Sequence, residues 1–464
     1  MENAPPDPLV RRHRRALQLC FAIPGLSLAT WVTRTPDIRD RLGASTAEMG
    51  LVLFGMSIGS MLGILVAAAL VARFSTRPVI VAGMCLVAAG VGTMALGTTV
   101  ASAPSVAFGL LLLGAGVGLS EVASNVDGAV VEREFGRPVL PALHGCYSLG
   151  TLIGAGLGVA GAASGFPVPW HLAAVLLLVA VLLAFAVPGL RPGIGRSRPA
   201  DAGSAGAGSA DAGTAGAGSA DAGPETAGSA GAGPVVVEQP ATGGVRERRL
   251  YLDLRLLMIG GVVFGMTLAE GAATDWLPLL MVDGHEMPSG LGSLVYAGFA
   301  AAMAAGRFAG GPVVARVGRP VVLGGGALLT AVGIALVSFV DSPVAAGCAV
   351  LLWGLGTSLG FPLALSAAGE SGPDTTGRVA LTSRIGYVGL LVGPPALGFL
   401  GEHHGLRAAM VPVLLLMLVA AALSPATAPR PLRTGEPGRG DDARPLRTDG
   451  AAGREPVPSR PDRP

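Results

Sequence analysis

Charged residues are scarce in this sequence. They make up 13% of its 464 residues, while apolar residues make up 51% and the mean hydropathy is +0.61. Soluble domains carry about a quarter charged residues, so much of this chain's surface must face something other than water. Lysine is absent and the formal net charge is only +2. We expect a lipid bilayer as a partner and no nucleic acid.

Cysteines and nucleotide-binding motifs are also few. The four cysteines fall inside apolar segments without metal-like spacing, so we interpret them as packing residues and expect no disulfide framework. No Walker A sequence is present, which argues against an ATP-driven pump. The glycines at 114, 116 and 118 lie within an apolar segment and do not form a phosphate-binding loop. We therefore predict no enzyme, catalytic site, metal site or cofactor.

Apolar stretches of membrane-spanning length recur through both halves of the chain, and they predict an all-α polytopic membrane protein with about twelve helices. In the first half the predicted spans are 16–33, 47–71, 77–98, 104–131, 139–163 and 169–189. In the second half they are 253–281, 289–315, 319–340, 343–369, 377–401 and 405–424.

The segments outside these spans differ sharply in composition. The predicted organisation is a cytoplasmic segment 1–15, a six-helix bundle 16–189, a linker 190–250, a second bundle 251–424 and a tail 425–464. From Ala200 the linker repeats a ten-residue Ala/Gly/Ser-rich unit that has too little to bury. We predict that the linker and the Arg/Pro/Gly-rich tail are disordered and cytoplasmic.

Arginines indicate the orientation. If the N-terminus is cytoplasmic, only Arg34, Arg39, Arg41 and Arg407 fall in outside segments, while Arg307 lies within a span. The inside segments contain the linker and tail arginines together with Arg11, Arg12, Arg14, Arg15, Arg73, Arg77, Arg133, Arg137, Arg316, Arg319, Arg378 and Arg384. This positive-inside pattern predicts that both termini are cytoplasmic.

The two halves resemble each other. Arg73 and Arg77 lie in a basic turn after the second predicted helix, and Arg316 and Arg319 lie in a similar turn after the eighth. Gly150 and Gly154 in the fifth helix are matched by Gly389 and Gly393 in the eleventh. Basic turns and glycines occur in many membrane proteins, but their matching order favours an internal duplication with a pathway between the halves.

These turns resemble the loop Gly-x-x-x-Asp-Arg-x-Gly-Arg-Arg of the major facilitator superfamily. The matching segments are 68–77 and 311–319, in which Ala72 and Ala315 replace the acidic residue and Ser75 replaces a glycine. The resemblance implies a twelve-helix secondary transporter, with Arg73, Arg77, Arg316 and Arg319 as candidates for gating. The missing acids leave open whether these turns still gate.

A bacterial branch related to fucose-permease-like facilitators resembles the chain more specifically. The resemblance covers most of residues 14–424 and implies transport without naming a cargo. The matching stretches are 31–43, 114–125, 144–150, 270–276, and 386–389 with 393–395.

Ionised side chains inside hydrocarbon are costly, so each one requires an explanation. Glu121 and Asn125 are four residues apart and share one face of the fourth helix. They are interpreted either as a proton-binding acid beside a substrate-cavity amide, or as a hydrogen-bonded pair that fixes helix packing.

The seventh helix contains Glu270, Asp275 and Trp276. A carboxyl group in a cavity of low polarity is suited to proton uptake and release, and Glu270 is the leading candidate for proton coupling. The alternatives are a structural hydrogen bond from Glu270 to Thr267 or Thr274, and an interfacial position for Asp275.

Other polar residues have weaker signals. His144 could relay protons or pack, and Arg307 could snorkel, meet an anionic substrate or, as we expect, pair with an acid. Tyr387 could line the cavity or pack. Trp31 and Arg34 are cavity candidates at an outer boundary, where an aromatic-belt residue is the default. We expect Asp127 to point toward the following loop.

The leading hypothesis is a secondary active transporter of a small solute in the bacterial inner membrane, coupled to protons and working as a monomer. The alternative from another class is a membrane receptor or scaffold that transports nothing, which the altered turns leave possible. Within transport, sugar-like uptake and efflux of a metabolite or drug both stay open.

The orientation can be measured with reporter fusions. Green fluorescent protein fused after Pro464 or inserted near Gly216 should fluoresce, because both sites are predicted to be cytoplasmic. Alkaline phosphatase fused after Gly43 should be active, since that loop is predicted to lie outside. Active phosphatase at Pro464 would contradict the predicted topology.

Overall fold

The computed structural model describes residues 8–135, 139–195 and 250–429, and these ranges contain helices and no strands. Twelve helices in the described ranges are long and apolar enough to cross a membrane. The prediction of an all-α protein with twelve spans is therefore confirmed. Residues 196–249, which make up most of the predicted linker, and the tail from residue 430 lie outside the described residues, as do residues 1–7.

The first half contains six long helices and one short one. The short helix α2 was not predicted, and it is closed by Gly43 at φ 61°, whose amide donates to the carbonyl oxygens of Arg39 and Asp40. The bounds are α1 Pro8–Val32, α2 Thr35–Leu42, α3 Thr46–Phe74, α4 Thr76–Thr99, α5 Ala103–Phe135, α6 Leu140–Ala163 and α7 Val168–Ala186. Helix α1 begins eight residues before the predicted span because the helix continues through the arginines that precede its apolar part.

The second half repeats this plan with two interrupted spans. The tenth span breaks around Ser358 into α11 and α12, and the last span is divided into α14 and α15. The bounds are α8 Leu254–His285, α9 Ser289–Val317, α10 Arg319–Phe339, α11 Pro343–Thr357, α12 Gly360–Glu370, α13 Thr375–His404, α14 Leu406–Ala409 and α15 Val411–Leu423.

The matched glycines of the two halves pack in equivalent places. Gly150 and Gly154 place α6 directly against the backbone of α1, and Gly389 and Gly393 place α13 against α8. In each half the fifth long helix therefore packs on the first through small residues, which allow helices to approach closely without a hydrophobic drive. This equivalence supports the internal duplication.

The two halves meet along α3 with α13 and along α6 with α9. We call the end of the bundle that holds α2 the α2 end, and the opposite end, where the described chain begins and finishes, the terminal end. Hydrogen bonds between the halves at the α2 end run from Ser293 Oγ to the carbonyl oxygen of Thr33 and from the Ala47 amide to Glu402 at 3.2 Å. Arg39 forms an ion pair with Asp283 at the same end.

Asp127 is fully buried, so the expectation that it faces a loop is wrong. His13 Nε2 donates to Asp127 Oδ1 at 3.0 Å, and His13 is buried completely as well. His13 Nδ1 lies 3.2 Å from the Arg191 amide and 3.3 Å from the carbonyl oxygen of Gly189. This contact ties α1, α5 and the segment after α7 together inside the first half.

The two basic turns share an unusual backbone conformation. Ser75 has φ 76° and ψ 170°, and Gly318 has φ 83° and ψ 158°. The amide of each residue donates to the carbonyl oxygen four residues earlier, Val71 at 2.8 Å and Val314 at 2.9 Å. Positive φ costs a residue with a Cβ about 1–2 kcal/mol, a cost that glycine does not bear. Ser75 is therefore strained where its counterpart is not.

Replacing Ser75 by glycine should stabilise the protein by about 1 kcal/mol, because the turn keeps its shape and loses the steric conflict. The measurement is the thermal unfolding midpoint of the purified protein in detergent. Gly318→Ser is the matched control and should lower that midpoint. A midpoint that falls in Ser75→Gly would contradict the strain at this turn.

Candidate functional site

A cavity of about 590 Å³ lies between the two halves. Its walls come from α1, α3, α5 and α6 of the first half and from α8, α9, α12 and α13 of the second. Most of the lining is apolar, with a limited number of polar side chains, as in ordinary small-molecule sites. The predicted site residues that line it are Glu121, His144, Glu270, Asp275, Arg307 and Tyr387.

Glu270 and Arg307 form an ion pair within the second half. Arg307 Nη2 lies 3.1 Å from Glu270 Oε1, and the two side chains are 10% exposed for Arg307 and 17% for Glu270. Arg307 Nε also donates to the carbonyl oxygen of Ser358 at 3.2 Å, in the interruption of the tenth span. The expected pairing of Arg307 with an acid is present, so the guanidinium has a carboxylate and a main-chain acceptor.

The two threonine hydroxyl groups that are candidate partners of the Glu270 carboxylate donate their hydrogen bonds to other groups. Thr274 donates to the main-chain oxygen of Glu270, and Thr267 donates to that of Val263. The hypothesis of a structural side-chain bond from Glu270 to a threonine is therefore wrong. Spacings of three and four residues nevertheless align Thr267, Glu270 and Thr274 on the cavity face of α8.

Glu121 and Asp275 have no such partner. In the described part of the chain, no hydrogen bond or ion pair reaches the carboxylate of either residue, although both line the cavity. Glu121 belongs to α5 in the first half, and Asp275 belongs to α8 in the second. The cavity therefore presents one unpaired acid from each half.

Three tyrosines complete the polar lining, and only one of them was predicted. Tyr147 and Tyr296 line the same cavity as the three acids and Arg307. Tyr387 lines it too, and its hydroxyl group is buried without a partner among the described residues. Tyr147 and Tyr296, which were not predicted, are flanked in the sequence by small and apolar residues. In such a segment nothing indicates whether an aromatic side chain lines a cavity or packs in the core.

His144 lies near the start of α6, where the cavity approaches the terminal end. Its imidazole packs edge-on against Phe21 with ring centroids 5.0 Å apart. Arg307 lines the same cavity. The residue thus faces both the cavity and an aromatic contact, in agreement with either of its predicted roles.

Four of the predicted substrate-cavity residues lie outside the cavity lining. Trp31 and Trp276 are buried, and the Trp276 ring lies against Gly398. Asn125 is one turn beyond Glu121, and its Oδ1 atom is buried without a partner. Sharing a helix face with Glu121 does not bring Asn125 into the cavity because the lining of α5 ends at Ser124.

Arg34 is the fourth of these residues, and it stabilises the α2 end. Its guanidinium donates to the carbonyl oxygen of Phe166 at 2.6 Å and pairs with Asp37 at 2.8 Å. Burial lowers the pKa of Arg34, and the Asp37 carboxylate opposes that shift. Arg34 therefore connects the α1–α2 corner to the loop between α6 and α7.

The arginines of the basic turns lie at the terminal end, away from the cavity. Arg319 forms two hydrogen bonds with Glu370 at 2.8 and 3.0 Å, which joins α10 to the end of α12. Arg73 lies 5.2 Å from the centroid of the Phe74 ring, whereas Arg316 is exposed. Arg77 follows the strained Ser75 at the start of α4. Glu370 of α12 is thus the acidic partner of Arg319 in the second basic turn, although it does not belong to that turn.

Comparisons with known proteins agree with this architecture. The model of the Major Facilitator Superfamily matches residues 19–387. An uncharacterized MFS-type transporter of Yersinia pestis is 31% identical over 409 residues, which are 87% of this chain and 93% of the relative.

Solved structures share the fold at low identity. A variant of the nucleoside transporter NupG is 12% identical with a TM-score of 0.67, covering 89% of this chain and 99% of that one. The E. coli fucose:proton symporter FucP is 15% identical with a TM-score of 0.54, covering 90% of this chain and 98% of that one. These structures confirm the predicted fold, while the family model and the Yersinia pestis relative confirm the predicted family.

The ion pair in the cavity can be tested with a double-mutant cycle. Glu270→Gln leaves a permanently charged guanidinium without its carboxylate, so we expect a loss of about 3 kcal/mol in stability. Glu270→Gln combined with Arg307→Gln should recover part of that loss because no charge is then orphaned.

The readout is unfolding in detergent micelles. Asp275→Asn is the matched control, since it removes a cavity acid that has no partner and should not destabilise the protein. Strictly additive effects of Glu270→Gln and Arg307→Gln would contradict a coupled pair.

Proposed function

Given that this chain belongs to the major facilitator superfamily and is a membrane transporter, we propose that it is a secondary active transporter of a small solute, coupled to protons and working by alternating access. The observation that carries the proposal is the cavity between the halves with its acids Glu121, Glu270 and Asp275. A midplane site between repeated halves is the arrangement in which such transporters bind their cargo.

The contacts at the α2 end support alternating access. The ion pair of Arg39 with Asp283 and the hydrogen bonds of Ser293 and Glu402 all join one half to the other there. Ser57 in α3 also donates to the carbonyl oxygen of Leu390 in α13 at 3.1 Å, alongside the cavity. Opening at the α2 end requires that these polar contacts separate together with the close packing of Gly50 in α3 against Pro394 and Gly398 in α13, while each half keeps its own packing.

Partly exposed ion pairs are weak enough for such an opening. Arg39 and Asp283 are 17% and 29% exposed, and pairs of this kind contribute up to about 1 kcal/mol. Burial and the carboxylates of Asp283 and Asp40 act on the guanidinium in opposite directions, and the net effect raises the pKa of Arg39. The pair therefore stays ionised and can re-form in every cycle.

Among the acids, Glu121 and Asp275 are better placed than Glu270 to exchange protons. Protonating Glu270 would cost the ion pair with Arg307, whereas the other two carboxylates have no competing bond. His144 lies between the cavity and the terminal end, where it could pass protons. We assign the coupling to Glu121 and Asp275 and give Glu270 the task of holding Arg307.

The proposed setting is the cytoplasmic membrane of a bacterium, with the terminal end toward the cytoplasm. Yersinia pestis, the source of the relative described above, is a bacterium, and the arginine pattern orients the chain in this way. In that orientation the closed α2 end faces outward, and solutes reach the cavity from the cytoplasmic side. The protein is proposed to act as a monomer.

The function can be tested in proteoliposomes. A thermal-shift screen of sugars, amino acids, organic acids and antibiotics against the purified protein supplies the solute, whose flux is then followed with and without a pH gradient. We expect a gradient of one pH unit to drive accumulation of the solute by up to about tenfold per coupled proton, since one unit supplies about 1.4 kcal/mol. The sign of the gradient that accelerates uptake separates import from export.

Variants identify the coupling groups. Glu121→Gln and Asp275→Asn should reduce or abolish the response to the gradient, while Glu286→Gln, which alters an exposed acid at the α2 end, should behave like the unaltered protein. Flux that ignores the gradient in the unaltered protein and persists in both variants would refute proton coupling. Absence of any flux would refute transport of the screened solutes.

A further inference from the structure

We propose that the cavity selects small solutes that carry a positively charged amine together with hydroxyl groups. This inference rests on the proposed transport function, because it names the class of solute that the same cavity would bind. It is based on three independent features of the lining: the balance of charges, the aromatic faces that share the cavity with the acids, and the balance of hydrogen-bond donors and acceptors.

The charges of the lining do not balance. Three carboxyl groups, those of Glu121, Glu270 and Asp275, face the cavity, and Arg307 is the one arginine that lines it in the described part of the chain. Arg307 is already held by Glu270, so an anionic solute would meet a guanidinium whose charge is neutralised. Even when one of the remaining two acids carries a proton, the other is left without a counter-charge.

A cation from the solute would supply that missing counter-charge. An isolated carboxylate in surroundings of low polarity is costly, and an opposite charge removes most of the cost. Glu121 and Asp275 belong to different halves, so a cationic solute that reaches both acids would contact both halves together. No group of the described protein does this in the cavity.

Aromatic rings share the cavity with these acids. Tyr147, Tyr296 and Tyr387 line it together with Glu121 and Asp275. The face of a tyrosine ring attracts ammonium groups, and the attraction is largest where water is excluded. Acids and rings together form surroundings that favour a cation over a neutral group of the same size.

Most serine and threonine hydroxyl groups of the lining offer lone pairs, because their protons are already used. Ser120, Ser148, Thr151, Thr267 and Thr274 each donate to a carbonyl oxygen of their own helix. A hydroxyl group that donates in this way keeps acceptor capacity. These five hydroxyl groups and the two unpaired carboxylates offer more acceptors than the three tyrosine hydroxyl groups offer donors, which matches a solute rich in N–H and O–H donors.

The charge preference can be measured without knowing the natural solute. All four cysteines are replaced by serine, and Ser148→Cys then places one thiol in the cavity wall. The rates at which trimethylammonium-ethyl and sulfonato-ethyl methanethiosulfonate modify this thiol are each divided by their rates with β-mercaptoethanol. We expect the cationic reagent to react faster by about tenfold or more, as in clefts that focus a negative potential.

Variants link that preference to the acids. Adding Glu121→Gln and Asp275→Asn should bring the ratio of rates close to one, whereas Asp341→Asn, which removes an exposed acid at the α2 end, should not change it. A ratio at or below one in the unaltered lining overturns the proposal. Should Ser148→Cys fail to fold, Ser60→Cys provides a second reporter in the lining of the same cavity.

A matched set of sugars tests the solute class directly. Glucosamine, glucose and glucuronate share a ring and differ in carrying an amine, a hydroxyl or a carboxylate. In the Ser148→Cys variant, glucosamine should slow the labelling of the introduced thiol by neutral N-ethylmaleimide at lower concentrations than glucose, and glucuronate should protect least. Protection by glucuronate that equals or exceeds that by glucosamine, or none by glucosamine, overturns the proposal.

Failure of this inference is distinguishable from failure of the proposed function. Thiol modification and protection report binding and charge in the cavity, and neither requires flux. Charge selection without flux in proteoliposomes would leave the inference standing as a binding preference and refute transport. Proton-driven flux without charge selection would support transport and refute the preference for cationic solutes.

Discussion

The hydrocarbon core of a bilayer contains no water that could form hydrogen bonds with the main chain, and the fold depends on that constraint. Backbone polar groups must be satisfied within each helix, which is why the described chain crosses twelve times as helices. Where the tenth span breaks, the carbonyl oxygen of Ser358 accepts a bond from Arg307. The irregular backbone is thus stabilised by a side chain of the cavity, and the same side chain holds Glu270.

The sequence predicted the fold well because the constraint acts on composition. Apolar runs of spanning length, arginines at one end and paired glycines are local signals, and each could be read without knowing a contact. The predicted ends of the helices were less accurate, since α1 and α8 continue past their apolar parts into polar residues. The internal repeat extends to the backbone of the two basic turns. Ser75 and Gly318 have similar positive φ angles, although only one of the two positions holds a glycine.

The site was harder to predict because its contacts join distant segments. The acids Glu121, Glu270 and Asp275 stood out as charges in apolar helices, and all three line the cavity. Tyr147 and Tyr296 had no comparable signal. Asp127 was misjudged because its partner His13 lies 114 residues earlier, and no spacing on one helix could disclose that pairing. Asn125 shares a helix face with Glu121 but lies beyond the end of the lining.

In the proposed alternating-access cycle, the division of charges between the halves separates contacts that would be preserved from those that would change. Glu270, Arg307 and Ser358 belong to one half, so the proposed rocking motion would carry them along without breaking their bonds. Glu121 and Asp275 lie on opposite halves, so the same motion would change their separation. A group that neutralises them, whether proton or ammonium, acts on the equilibrium between the two states only through its differential affinity for them. The unpaired acids, rather than the ion pair, are therefore where binding can be coupled to motion.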